Sequence, residues 1–130
     1  MIETRLIQYW IDSSDENFKS MINIFNTGEY MWALFVGHLV IEKLLKAYYL
    51  KMTGKEIPRT HDLYKLAMKS GLVMTEDHKD ALQYITLFNI EVRYENYRQD
   101  FFKKCTKEFS EKNIQIIKEL RAWLKEKIKN

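Results

Sequence analysis

Cysteine, proline and glycine are scarce in this chain, and each shortage excludes something. A single cysteine, Cys105, permits no intramolecular disulfide, and no histidine stands near it at metal-ligand spacing. A buried or half-buried thiol is its expected state. One proline and four glycines are too few for a strand-and-turn protein, which needs many tight turns. Those glycines stand singly, so there is no glycine-rich phosphate loop. His38, His61 and His78 lie 23 and 17 residues apart, and no pair has helical metal-ligand spacing. Neither a metal ion nor another cofactor is therefore expected. Ser13, Ser14, Ser20, Ser70 and Ser110 occur in no nucleophile-elbow context. No run approaches the about 18 consecutive apolar residues of a membrane span. The start, Met1-Ile2-Glu3-Thr4-Arg5, lacks the basic-then-apolar order of a signal peptide. The expectation is a cytoplasmic protein without a membrane segment.

What remains is the composition of a globular helical protein, 46% hydrophobic and 30% charged over 130 residues. That length suits one domain, residues 1–130, with a core of its own. The net charge of +3 is unevenly placed. Residues 1–28 carry two basic and four acidic side chains, whereas residues 103–130 carry nine and four. A basic C-terminal helix is either a solvated Lys/Glu face or a surface for a phosphate backbone.

Hydrophobic spacing predicts the elements. Trp10, Phe18, Met21, Ile22 and Phe25 form one stripe at a period near 3.6, which gives a first helix over about 3–26. Asn26-Thr27-Gly28 ends it. A second helix follows over about 29–52, apolar almost all round between Met31 and Leu50, and so central to a bundle or shared with a second subunit. Thr53-Gly54 stops it, and Pro58 keeps Ile57 from helical angles. Thr60 or Asp62 would cap a short third helix that runs to Ser70-Gly71. Thr75, followed by Glu76 and Asp77, opens a further helix to about Asn89. Residues 90–102, rich in charge and tyrosine, read as a loop with at most a turn of helix. A last helix over about 103–127 would bury Phe109, Ile116, Ile117, Leu120, Trp123 and Leu124.

Polar residues stand out most on the apolar second helix. His38, Glu42 and Lys46 are four apart and share a face, with Lys43 one step round from Glu42. They form either a solvent stripe or a pocket rim where ammonium groups meet phosphate and His38 supplies a switchable proton. His61 and Asp62, at the third helix's start, either cap and brace the structure or face an anion. Arg93 and Arg98 interleave with Tyr94 and Tyr97. Such a set can clamp phosphate and stack a base, or Arg93 can brace its loop against Glu42.

Taken in order, Trp10, Gly28-Glu29-Tyr30, His38, Glu42-Lys43-Leu44-Leu45-Lys46-Ala47, Pro58, Thr60-His61-Asp62-Leu63 and Arg93-Tyr94 resemble the HEPN domain family. The resemblance implies an all-α, up-and-down antiparallel bundle of four to five helices that often forms a homodimer. It also implies an association with nucleotide or RNA. Such proteins are frequently encoded, in prokaryotes, beside a minimal nucleotidyltransferase, and some of these pairs are toxin and antitoxin. By the same resemblance Glu42, Lys43, Lys46, His61, Asp62, Arg93 and Tyr94 match the family's recurrent positions, with His38 and Arg98 as further candidates. Members that cleave RNA carry an arginine, four to six residues, then a histidine. Here Arg93 is followed at that distance by Arg98, and no other arginine has a histidine so placed. No catalytic residue is assigned. The expectation is a dimeric nucleotide- or RNA-binding module, against a non-catalytic interaction bundle with an internal ion-pair network, or a divergent ribonuclease.

Overall fold

The computed structural model describes residues 2–130 and shows an all-helical bundle. Met1, which opens the N-terminal segment considered above, lies outside the described residues. Six helices follow in order: α1 (Ile2–Asn26), α2 (Tyr30–Thr53), α3 (Leu63–Lys69), α4 (Glu76–Arg93), α5 (Glu95–Lys104) and α6 (Lys107–Lys129).

The axis of the bundle is α2. Its side chains Leu34, Ile41, Leu44 and Leu45 are wholly buried, as an all-round apolar helix requires. Around it pack α1, α6, α4 and α3. The α1–α2 hairpin turns at Gly28, whose φ of +86° suits a residue without a Cβ. Gly37 serves closeness instead. A Cβ there would meet the Ile117 side chain at 2.5 Å and the Met21 sulfur at 3.0 Å, so α1 and α6 both press against α2 at this point. On the outside α1 and α6 are tied by Asp15, which pairs with Arg121 at 3.1 Å and Lys125 at 2.6 Å.

Three sequence expectations need correction. The chain from Ile90 to Phe102 is helical: α4 continues to Arg93, Tyr94 alone is extended, and α5 begins at Glu95. Phe101 is the buried residue of α5, stacked on Phe88 with centroids 5.5 Å apart. A helix with so narrow an apolar stripe leaves little periodicity to read. The last helix begins at Lys107, not Lys103, because the Thr106 hydroxyl caps it by accepting from Phe109 N–H. It buries Ile114, Ile117, Leu120, Leu124 and Ile128, while Phe109, Ile116 and Trp123 are only partly covered. Among the described residues the count is therefore six helices, the extra one being α5.

Candidate functional site

Because α2 is surrounded, its polar side chains must find partners inside the bundle or leave a costly vacancy. Glu42 does so twice. Its Oε1 accepts from His61 Nδ1–H at 2.7 Å, and its Oε2 pairs with the Lys46 ammonium at 3.0 Å. Only 4% of the Glu42 side chain is exposed, against 16% for Lys46 and 52% for His61. The Lys46 ammonium also lies 5.0 Å from the centre of the Trp10 ring. Burial alone would raise the Glu42 carboxyl, but the hydrogen bonds from His61 and Lys46 outweigh it and hold the group below its usual range.

His38 is fully buried one turn before Glu42. Its Nε2 lies 2.9 Å from the His61 carbonyl oxygen. A carbonyl only accepts, so Nε2 carries the hydrogen and donates. Nδ1 is left without a partner, 3.9 Å from Glu42 Oε1 and beyond hydrogen-bond reach. Burial pushes the His38 imidazole below its ordinary value, although the His61 carbonyl and Glu42 act the other way. His38 is thus a neutral strut, neither a solvent-stripe residue nor a pocket rim.

The same His61 opens onto a cleft between the start of α3 and the second half of α4. The cleft measures about 190 Å³ and is lined by His61, Asp62, Thr86, Asn89, Ile90, Arg93 and Tyr94. Asp62 caps α3 by accepting from Lys65 N–H at 3.0 Å. Leu63 N–H donates to Thr86 Oγ1 at 3.0 Å, which pins α3 to the middle of α4. Asn89, one turn beyond Thr86, is buried, and its amide nitrogen has no hydrogen-bond partner. Arg93 follows one turn later. It is exposed, and among the described residues it forms no ion pair.

The predicted residues therefore divide. His38, Glu42, Lys46 and His61 form one buried-to-surface cluster, and His61, Asp62, Arg93 and Tyr94 line one cleft. Lys43 turns the other way, donating to Ser13 Oγ of α1 at 2.7 Å; burial lowers its pKa against the pull of Glu42. Arg98 donates from Nε to the Val92 carbonyl at 2.8 Å and does not line the cleft. Glu42 is held by His61 and Lys46, so the bracing of Arg93 against Glu42 does not occur. Sequence reasoning passed over Thr86 and Asn89. A signal existed: Asn89 interrupts the buried stripe Leu82, Ile85, Val92, just as Glu42 interrupts α2. Ending the helix at Asn89 hid it.

This geometry can be set beside known proteins. The model of the HEPN domain matches residues 7–128, nearly the whole chain. The chain belongs to the HEPN domain family. The crystal structure of TT1696 from Thermus thermophilus is similar in fold, with a TM-score of 0.78 at 19% identity, over 93% of this chain and 97% of that one. A search of curated proteins gave no match. In this HEPN domain, Arg98 stands five residues after Arg93 and is committed to a backbone carbonyl. Among the described residues no cluster of three or more His, Cys, Asp or Glu could hold a metal ion. No described helix is long and apolar enough to cross a membrane.

Proposed function

We propose that this HEPN domain binds a nucleotide or RNA through the α3–α4 cleft and acts as a homodimer, without catalysis of its own. The observation that carries the reading is Arg93: an exposed guanidinium, free of ion pairs among the described residues, one turn from the spare buried amide of Asn89. A planar guanidinium suits a phosphate bidentately, an amide suits a base edge, and the exposed Tyr94 ring can stack a base. A cleft of about 190 Å³ takes one such group, with the remainder of the ligand lying across the surface. Support for the homodimer comes from Leu87, Ile90, Tyr94 and Tyr97, large apolar side chains left exposed on α4 and α5, two of which, Ile90 and Tyr94, also line the cleft. A minimal nucleotidyltransferase is the proposed partner, in a cytoplasmic, prokaryotic toxin–antitoxin or related defence or stress system. That part rests on the family alone.

The test is titration with labelled RNA and with nucleoside triphosphates at low and at physiological salt, cleavage products being checked in the same tubes. Saturable binding, weakened about 10-fold or more by Arg93→Ala, is expected, since a charge-assisted hydrogen bond is worth about 1.5–3 kcal/mol. Sedimentation of the wild type and of Leu87→Asp, a variant outside the cleft lining, reports the dimer. Absence of binding to both ligands would return the protein to an interaction bundle whose Glu42 network is scaffold.

One observation favours a second reading, a divergent ribonuclease. Glu42 orients the His61 ring through Nδ1, leaving Nε2 as its free nitrogen, and His61 shares the cleft with Arg93. A carboxylate-held imidazole beside an arginine is an acid/base arrangement suited to a phosphodiester. Cleavage products abolished by His61→Gln would select it.

A further inference from the structure

A second and larger hollow lies on another side of the bundle. Helices α4 and α6 both pack on α2 but scarcely on each other. Between them runs a groove of about 580 Å³ whose apolar lining, taken as its floor, is Ala81, Tyr84, Ile85, Ile116 and Leu120. Asp77, Asp80 and Glu119 also line it, and no lysine or arginine does among the described residues. In a chain of net charge +3, a lining that holds three carboxylates and no lysine or arginine is locally acidic. Lys104, whose ammonium lies 5.7 Å from the Tyr84 ring centre, is not among the lining residues. His78, which also lines it, is stacked on Trp123 with centroids 3.7 Å apart. From Asp77 to Ile85 the groove spans about 12 Å of helix, roughly two turns, at about 1.5 Å per residue.

We infer that this groove is a docking site for a basic amphipathic helix of a partner protein, separate from the α3–α4 cleft. Two turns of such a helix would lay apolar side chains at i, i+3 and i+7 onto the floor. Its flanking lysines or arginines would meet Asp77, Asp80 and Glu119. Asp80 and Glu119 are exposed, so their charges act without the cost of burying an unpaired carboxylate.

The probe is a fluorescein-labelled synthetic helix with leucines at i, i+3 and i+7 and lysines on both margins. Its counterpart carries glutamates in place of the lysines. Fluorescence anisotropy with the full chain is expected to show saturable binding of the lysine peptide, at least tenfold tighter than the glutamate one. Asp80→Lys with Glu119→Lys should reverse that preference, and Ala81→Phe, which fills the floor and leaves the carboxylates in place, should abolish binding of both. Equal affinity for the two peptides, no saturable binding, or a preference indifferent to the charge reversal would overturn the proposal. So would a concentration-dependent dimer that Ala81→Phe dissociates, because the groove's occupant would then be a second copy of this chain.

Discussion

Replacing Glu42 is the sharpest test of how this bundle is held. In Glu42→Ala the His61 and Lys46 hydrogen bonds are lost together. Each is charge-assisted, and such bonds contribute about 1.5–3 kcal/mol when their alternative is poor. The alternatives differ here. Half the His61 side chain already meets water, and Lys46, though mostly covered, has a long stem that lets its ammonium reach the surface. The loss should therefore fall near the lower end of the about 3–5 kcal/mol typical of breaking a buried pair. That is a large share of a domain stability of about 5–15 kcal/mol. With a urea m-value of about 1.5 kcal/mol/M, the midpoint should fall by about 2 M with m unchanged. Circular dichroism at equilibrium measures it. Glu42→Gln keeps one good acceptor but turns an amide N–H₂ toward Lys46, so it should cost about 1–2 kcal/mol. A double cycle with His61→Ala should give a coupling of at least about 1 kcal/mol. A midpoint shift below about 0.5 M in Glu42→Ala would refute the reasoning, since the carboxylate would then be screened and α3 held by other means.

Three further outcomes follow from other parts of the molecule. The lowered pKa of His38 means that the unfolded chain takes up a proton near pH 6.5 that the folded one resists. Its contribution is thus complete well above pH 6.5 and is lost as pH falls toward the folded value, with a slope that cannot exceed about 1.4 kcal/mol per unit for one proton; urea midpoints from pH 7.5 to 5.5 should fall in this direction, and His38→Gln should flatten the fall. Glu42, also lowered, adds its own loss as pH falls through about 4.5, where the unfolded carboxyl is half protonated. Burial, aided by Glu91, pushes the Cys105 thiol up to about 12, so at pH 8 native protein should react with a thiol reagent at least about 100-fold more slowly than unfolded protein, and equal rates would contradict its burial. Gly37→Val would drive methyl groups into Ile117 and Met21, both fully buried, and should cost about 1–3 kcal/mol by overpacking, read as a thermal midpoint lowered by several degrees.

Much of the fold was legible because long helices with caps write themselves plainly. The stripe from Trp10 to Phe25, the all-round apolarity of α2 and the Asp62 cap each led to the element observed. Helix α5 was illegible for a physical reason: it packs through little more than Phe101, and Tyr97 and Phe102 stay outside, so no stripe appears. The polar ladder of α2 was visible as an anomaly, but its partners were not. Lys43 and Lys46 are three residues apart, yet one ends against Ser13 of α1 and the other on Glu42. Spacing along one helix fixes a direction within that helix, and only the arrangement of its neighbours decides what lies there.

That arrangement explains why buried polar groups occur in so apolar a helix. Seven residues are far too few for α3 to persist alone. Leu63, Leu66 and Ala67 supply it with buried apolar surface, but apolar contact is non-directional and fixes no register. Direction comes from its polar ties: Glu42 to the His61 ring, His38 to the His61 carbonyl, and Thr86 to the Leu63 amide. Two of these reach the same residue from adjacent turns of α2, so His61 is fixed in both backbone position and ring orientation. The cleft borders that residue on one side and Arg93 on the other. Changes at His38 and Glu42 should therefore alter the cleft by moving α3, whereas a change at Arg93 alters the cleft's charge and leaves α3 in place. The two kinds of variant are separable by whether loss of ligand affinity comes with loss of stability.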